Sequence, residues 1–396
     1  LYTETTPHDE RGRIDYKDTA GGRLDYSYYG NNRLKDVVSS NPSGVNIGYR
    51  YDEVNRLESV DDASSGPTRT TGYSYNANGS LETVTQPNAV VHTYGYDALN
   101  RLRALIVSHG STLIHTYEYK LTPSGHRRQV VEGAKATNYS YDEVYRLTAE
   151  SITSDPQGNN GEISYELDKV GNRIARNSQV GTIGSQPNQT YNARDWLGGD
   201  TYTANGSTQA GQVPDLTLRG TDTHDFEERL IVRARADGST VNVTYDADGH
   251  RVGKNILNAA AQPVSSTGWL VDTNNLTGYA QVFEERVSHV SSPAAQITRT
   301  HTYGSDLISQ STSLNNQSAT HRYYAYDGHG STRELTDSTG TVTDRYDYDA
   351  FGNLTFRSGT SENAYRYCGE QYDGDLGLYY LRARYLNPDS GRFWSM

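Results

Sequence analysis

The sequence predicts an all-β chain built from repeated antiparallel hairpins. Three observations carry the prediction. A tyrosine-rich unit returns at near-constant spacing, turn-forming residues stand at fixed offsets inside it, and no long 3.6-residue periodicity is present.

The unit reads Tyr-x-Tyr-Asp-x-x-(Asn or Gly)-Arg-Leu. It stands as Tyr49-Arg-Tyr51-Asp52-Glu-Val-Asn55-Arg56-Leu57 and returns as Tyr73-Ser-Tyr75-Asn76-Ala-Asn-Gly79-Ser-Leu81. Further copies are Tyr94 to Leu102, Tyr139 to Leu147 and, more loosely, Tyr165 to Arg173, with Tyr117 and Tyr119 marking another. Equivalent positions fall at 52, 76, 97, 120, 142, 168 and 192, so each step is 21 to 26 residues. Tyr at i and i+2 faces one side of a strand. The Asp carboxylate can cap a turn, and Asn or Gly three residues later suits a left-handed backbone. Arg-Leu opens the return strand. About 22 residues accommodate two strands of roughly seven residues and two turns, one hairpin per repeat.

Regular repeats run over 1–190. Over 191–320 the register loosens, with one clean copy at Thr244-Tyr245-Asp246-Ala-Asp248-Gly249-His-Arg251-Val252 and polar insertions such as Ser291-Ser-Pro-Ala-Ala295. This stretch reads as divergent repeats with longer loops. Register returns over 321–396, first at Tyr324-Ala-Tyr326-Asp327 and Tyr346-Asp-Tyr348-Asp349-Ala-Phe351-Gly352-Asn353-Leu354, then in a segment denser in Tyr and Arg than any repeat.

Composition bounds the function. Leu, Ile, Val and Phe are scarce enough that disorder would be the ordinary reading of a chain with net charge −12. The 33 Tyr against 5 Phe argue otherwise, because a ring with a polar tip suits a sheet with water on one side. No Lys/Arg cluster marks a nucleic-acid surface, and the longest apolar run, Ala104 to Val107, is far below a membrane span. The chain opens at Leu1 in what reads as mid-repeat sequence, as expected of a piece of a longer polypeptide. Cys368 is the single cysteine, so disulfides within the chain and Cys-based zinc sites are excluded, and a small buried residue is the expectation for it. Asp246-Ala-Asp248-Gly249 resembles the start of a calcium loop but lacks the closing Glu, so a capped turn is expected. No metal or cofactor site is expected: the His residues are scattered, and no Gly-x-Ser-x-Gly elbow exists.

The repeats resemble YD repeats, and the last 75 or so residues resemble the RHS-repeat-associated core segment. The resemblance rests on Tyr348, Asp349, Phe351, Gly352 and Asn353, on Gly369 and Glu370, on Gly377-Leu378-Tyr379-Tyr380, on Arg384 and Tyr385, and on Pro388 with Gly391-Arg392-Phe393. It covers most of the chain and is weak over positions 192–319. Members include bacterial Rhs toxins, C components of insecticidal toxin complexes, wall-associated proteins and teneurins. The resemblance implies hairpins adding into a sheet that spirals into a hollow, barrel-like shell, with the core segment as a plug. It further implies a secreted or cell-surface bacterial protein that encloses or presents its own variable segment beyond Met396, often a toxin. Adhesion to cell-surface glycans or proteins through exposed Tyr rows is the alternative.

Some members of the family cleave themselves after the core by means of acidic residues. The matching position is Asp373, although Tyr372 stands where toxin-complex members tend to carry Arg, and Asn387 stands where many members carry Asp before the proline. A proton-sharing carboxylate pair would be the chemistry. A turn cap is the competing reading for Asp373.

Overall fold

The computed structural model describes residues 4–395, with backbone only at 293 and 294. Leu1 and Met396, on which the expectation of a longer chain rests, lie outside the described residues. Two long antiparallel sheets dominate. The first has 16 strands, from Glu4–Thr5 to Arg173–Ser178, and the second has 12, from Gly220–His224 to Leu354–Ser358. Every strand pairs with its neighbours in sequence, as a hairpin repeat requires. A two-stranded sheet, Thr201–Tyr202 with Thr208–Ala210, lies between them in the chain, and the core segment forms a separate four-stranded sheet. Among the described residues there is no α-helix; two 3-10 turns occur at Leu216–Leu218 and Tyr367–Gly369.

One repeat explains the rest. The strands Asn46–Tyr51 and Leu57–Asp62 are joined by a turn in which Asp52 N–H donates to the Arg56 carbonyl and Asn55 N–H to the Asp52 carbonyl, both at 2.9 Å. Asn55 takes φ +65°, the left-handed position that Asn and Gly tolerate. The Asp52 carboxylate accepts from the N–H groups of Val54 (3.0 Å) and Arg56 (2.8 Å) and from Arg56 Nε (2.7 Å). The same bonds recur at Asp97, Asp142 and Asp225. Asp246 also caps its turn, accepting from the N–H groups of Asp248 and His250.

The two tyrosines divide their work. Tyr51 O–H donates to the Leu34 carbonyl of the preceding repeat at 3.0 Å, and Tyr75 and Tyr96 do the same to Leu57 and Leu81, both at 2.8 Å. The motif arginine of one repeat then stacks on this second tyrosine of the next, Arg56 lying 4.5 Å from the Tyr75 ring. In this repeat the first tyrosine points inward: Tyr49 is 1% exposed, and its hydroxyl has no partner among the described residues. A register shift at the second tyrosine recurs at Arg50/Tyr51, Ser74/Tyr75, Ser140/Tyr141 and Thr244/Tyr245. Bulges raise local twist, and one per hairpin coils the sheet.

The inner faces of the two sheets meet. Leu24, Ile47, Tyr49 and Val60 pack in one core with Leu270, Phe283, Tyr303 and Tyr324. Polar ties cross the same seam: Asn88 Nδ2 donates to Thr336 Oγ1 at 2.9 Å, and Tyr26 O–H to Asp272 at 2.6 Å. Arg333, from the second sheet, pairs with Glu132 of the first at 2.7 Å. The polar stretch around Ser291, read from sequence as a loop insertion, is instead a tight turn leading into the strand Ser292–Tyr303.

Candidate functional site: the seam between wall and core segment

After Ser358 the chain leaves the hairpin wall. The strands Gln371–Asp373, Leu378–Leu381, Arg384–Asn387 and Arg392–Phe393 form one sheet, with a single added bridge from Gln371 to Tyr365, and among the described residues none of them joins the wall sheets. Leu376, Leu378, Tyr380, Tyr385 and Trp394 pack on Val213, Leu230, Val241 and Val243 of the wall side. The segment is therefore a plug held by an apolar patch and a ring of polar contacts.

The central contact is made by Asp373. Its Oδ2 accepts from Arg251 at 2.6 Å and its Oδ1 from Lys254 at 2.9 Å; Lys254 also bonds Asp375 at 2.6 Å. Asp373 Oδ1 caps its own turn, accepting from Asp375 N–H at 3.0 Å. Burial alone would raise this carboxyl, but Lys254 and Arg251 outweigh it and hold Asp373 at about 2. It is a permanent anion at neutral pH. Arg251 lies flat between the rings of Trp269 and Tyr380, 4.3 Å from each, and reaches Gln371 Oε1 at 2.7 Å.

A second clamp holds the far end. Asp389 pairs with Arg176 at 2.7 Å and accepts from Gln186 Nε2 at 2.6 Å, while Arg173 donates to its carbonyl. Asn387 Nδ2 donates to the Gln212 carbonyl at 2.7 Å, a bond that an Asp at this position could not make. A third contact is the buried pair of Arg233 and Asp222 at 2.6 Å, in which Arg233 also donates to the Leu376 carbonyl and Trp394 Nε1 to Asp222.

The remaining motif residues fix the turn that faces the plug. Asp349 accepts from the N–H groups of Phe351 and Asn353, both at 2.9 Å, and Asn353 Nδ2 reaches the Pro388 carbonyl at 3.0 Å. Gly352 has φ +92°, and a Cβ there would meet the Tyr367 ring at 2.8 Å. Tyr379 O–H donates to the Gly352 carbonyl at 3.0 Å, so the plug reads this turn directly. Gly391 likewise leaves room for the Phe351 ring. Gly369 and Gly377 take φ +69° and +70°, and Glu370 pairs with Arg382 at 2.6 Å. Tyr348 packs beside Tyr367, with ring centroids 5.8 Å apart. Arg384 lies 3.7 Å over Phe393, and Arg392 donates to Asn172 Oδ1 at 2.9 Å and to the Asp195 carbonyl at 2.7 Å. A segment this rich in arginine needs carboxylates or tyrosine faces to pack against. Arg382 and Arg392 do lie over the Tyr279 and Tyr191 rings, but the strongest clamps run the other way, from wall arginines to plug carboxylates.

Cys368 corrects an expectation. It is exposed rather than buried, at φ +54°, with Sγ 3.7 Å from His329 Nδ1. Although the residue is exposed, neighbouring groups displace water from part of the sulfur's surroundings, and this, followed by the charges of Asp327 and Glu370, pushes the thiol up to about 12.

Behind Asp373 lies an open chamber of about 420 Å³ between the plug and the strands Arg251–Leu257, Pro263–Asp272 and Ser292–Tyr303. Asp389 lines a different cavity of about 230 Å³, so Asp373 and Asp389 are not brought into one site. Arg366 and Tyr372 line both cavities and partition them.

The wall, its sequential hairpins and the clamped core segment define a class of repeat protein. No family model matches the chain. It is 26% identical over 359 residues, 88% of its length, to the tRNA3(Ser)-specific nuclease WapA of Bacillus spizizenii, of which it spans 14%. Over 181 residues it is 30% identical to the tRNA(Glu)-specific nuclease WapA of Bacillus subtilis subsp. natto, a match covering 44% of this chain and 7% of that protein. The fold superposes over 100% of the chain on 21% of a chain of the Photorhabdus luminescens Tc holotoxin pore, solved with a mutation in TccC3, at TM-score 0.79 and 16% identity. The chain thus shares its fold, over its whole length, with a chain of a Tc toxin and is similar in sequence, over most of its length, to a WapA nuclease.

Proposed function

We propose that the chain is a stretch of shell wall with its closing plug, and that it encloses or presents a segment following the core in a secreted or surface-exposed protein. One observation carries the reading: the core segment leaves the wall and is locked back onto it by buried wall arginines at Asp373 and Asp389. Structural closure, rather than turnover, is what such ion pairs supply. The two relatives support a division of labour. Both match this chain in repeat sequence, yet they are named for different tRNA specificities, which supports a reading in which that specificity lies outside the matched stretch. In this reading 1–190 and 191–320 are wall, and 321–396 completes it and closes it.

Within this proposal Asp373 is a clamp and turn cap. A water-activating pair would need a carboxyl free to take up a proton near neutral pH. The neighbouring Asp375 shares the Lys254 amine with Asp373 instead. The test uses the longer gene product containing this chain. Protease should leave its post-core segment intact while the wall is folded, and cut it once Arg251→Met opens the clamp. Digestion of the wild-type segment at the rate of free peptide would refute the enclosure. Intact mass of wild type and Asp373→Asn should give the same products; cleavage lost only in the variant would return Asp373 to a catalytic role.

A further inference from the structure

We propose that the chamber behind the plug is a binding site for a small oxyanion, a carboxylate or phosphate group held by Arg357 and Arg366. Five cationic side chains line it, against four carboxylates. Three of the cations are spoken for. Arg251 and Lys254 are engaged by Asp373 and Asp375, and Arg299 by Glu285 and Glu362. Among the described residues, Arg357 and Arg366 have no carboxylate within ion-pair distance. Among the described residues each guanidinium donates one hydrogen bond and lies over one tyrosine ring, Arg357 over Tyr346 and Arg366 over Tyr372. Arg357 donates to the Ser361 carbonyl at 3.2 Å, and Arg366 Nε to the Asn363 carbonyl at 3.3 Å while stacking 4.5 Å from the Tyr372 ring. The remaining N–H groups of each planar fork are free for a carboxylate or phosphate, the geometry that guanidinium binds best.

The inner wall also carries polar atoms without partners. His301, 2% exposed, leaves Nδ1 without a partner among the described residues, and Arg299 leaves Nε so. Burial keeps His301 neutral near pH 7, lowering it to about 4, so the ring adds no competing charge. At about 420 Å³ the space holds an anion together with several waters. Entry is open on the side of Glu362, whose side chain is 75% exposed. Glu362 is more exposed than Asp375, the other partly exposed carboxylate of the lining, and it shares Arg299 with Glu285.

Isothermal titration of the chain with sodium phosphate and, separately, sodium glutamate, at constant ionic strength in chloride, tests the site. Saturable single-site binding of either supports it, and the better ligand tells phosphate from carboxylate. Arg366→Gln should weaken binding about tenfold or more, the loss of one charge-assisted contact. Because Arg366 also stacks on Tyr372, the rim variant Arg357→Gln guards against a folding artefact and should weaken binding about two- to fivefold. Glu362→Gln should act with the opposite sign and tighten it. No saturable heat with either anion, or equal affinity in wild type and the Arg357→Gln, Arg366→Gln double variant, overturns the proposal.

Discussion

Arg251 of the wall and Asp373 of the plug meet at 2.6 Å although 122 residues separate them. Both are buried, and each has a second polar partner. Removing one member of such a pair strands the other. Asp373→Leu should therefore destabilise the chain by about 3–5 kcal/mol in urea unfolding. The double variant Asp373→Leu, Arg251→Met should recover much of that loss. A cost under about 1 kcal/mol for Asp373→Leu would show that the plug does not depend on this contact.

The two tyrosines of one repeat should respond differently to loss of their hydroxyls. Tyr51→Phe removes a bond to the Leu34 carbonyl and should cost about 0.5–1.5 kcal/mol. Tyr49→Phe removes a buried hydroxyl with no partner among the described residues and should be neutral or stabilising. Paired denaturation curves decide it; the reverse order would mean that the rim bonds contribute nothing.

Asn100 sits at φ +59° in the turn after Asp97. Asn100→Gly should be tolerated, whereas the β-branched Asn100→Val should cost about 1–2 kcal/mol. Equal melting temperatures for the two variants would argue that the turn relaxes out of its left-handed form.

Stability should fall as pH rises from mildly acidic to neutral. Burial, and then the charge of Asp349, lift Glu150 from 4.5 to about 7, and burial lifts Asp349 as well. Tyr165 O–H and Ala350 N–H both donate to Glu150. The folded chain thus holds a proton that the unfolded chain releases near pH 4.5, so the favourable term is full below that value and gone above about 7. Melting temperature measured across this window should decline in wild type and run flatter in Glu150→Gln. Identical slopes would exclude Glu150 as the source.

The wall was legible because its repeat states its own chemistry. The tyrosine pair, the capping Asp and the left-handed Asn or Gly are local, and each sits where the hairpin needs it. The clamps were harder, because they join positions far apart in sequence. A signal was nevertheless present. The motif ends in Leu at Leu57, Leu102 and Leu147, but the same register holds Arg173 and Arg251 in two other copies. An inward position that carries a charge in a wall otherwise lined with leucine needs a partner, and both of these arginines reach the plug. The partners themselves, Asp389 and Asp373, could not be paired with them from sequence, since nothing local sets how the plug lies. The burial of Tyr49 was illegible for a related reason: a wall alone would leave it wet, and the facing sheet covers it.

Sequential pairing has a consequence for the order in which this molecule assembles. Each hairpin closes a loop of a few residues and can form in microseconds, independently of the others. The bonds that bring the two sheets together close spans of about ten times the repeat, such as the 248 residues between Asn88 and Thr336. Their entropic penalty is met only after both walls exist, so growth of the walls precedes their closing. A ribosome feeding out the chain from its amino end would present a half-built, open trough throughout synthesis, and the seam would shut last.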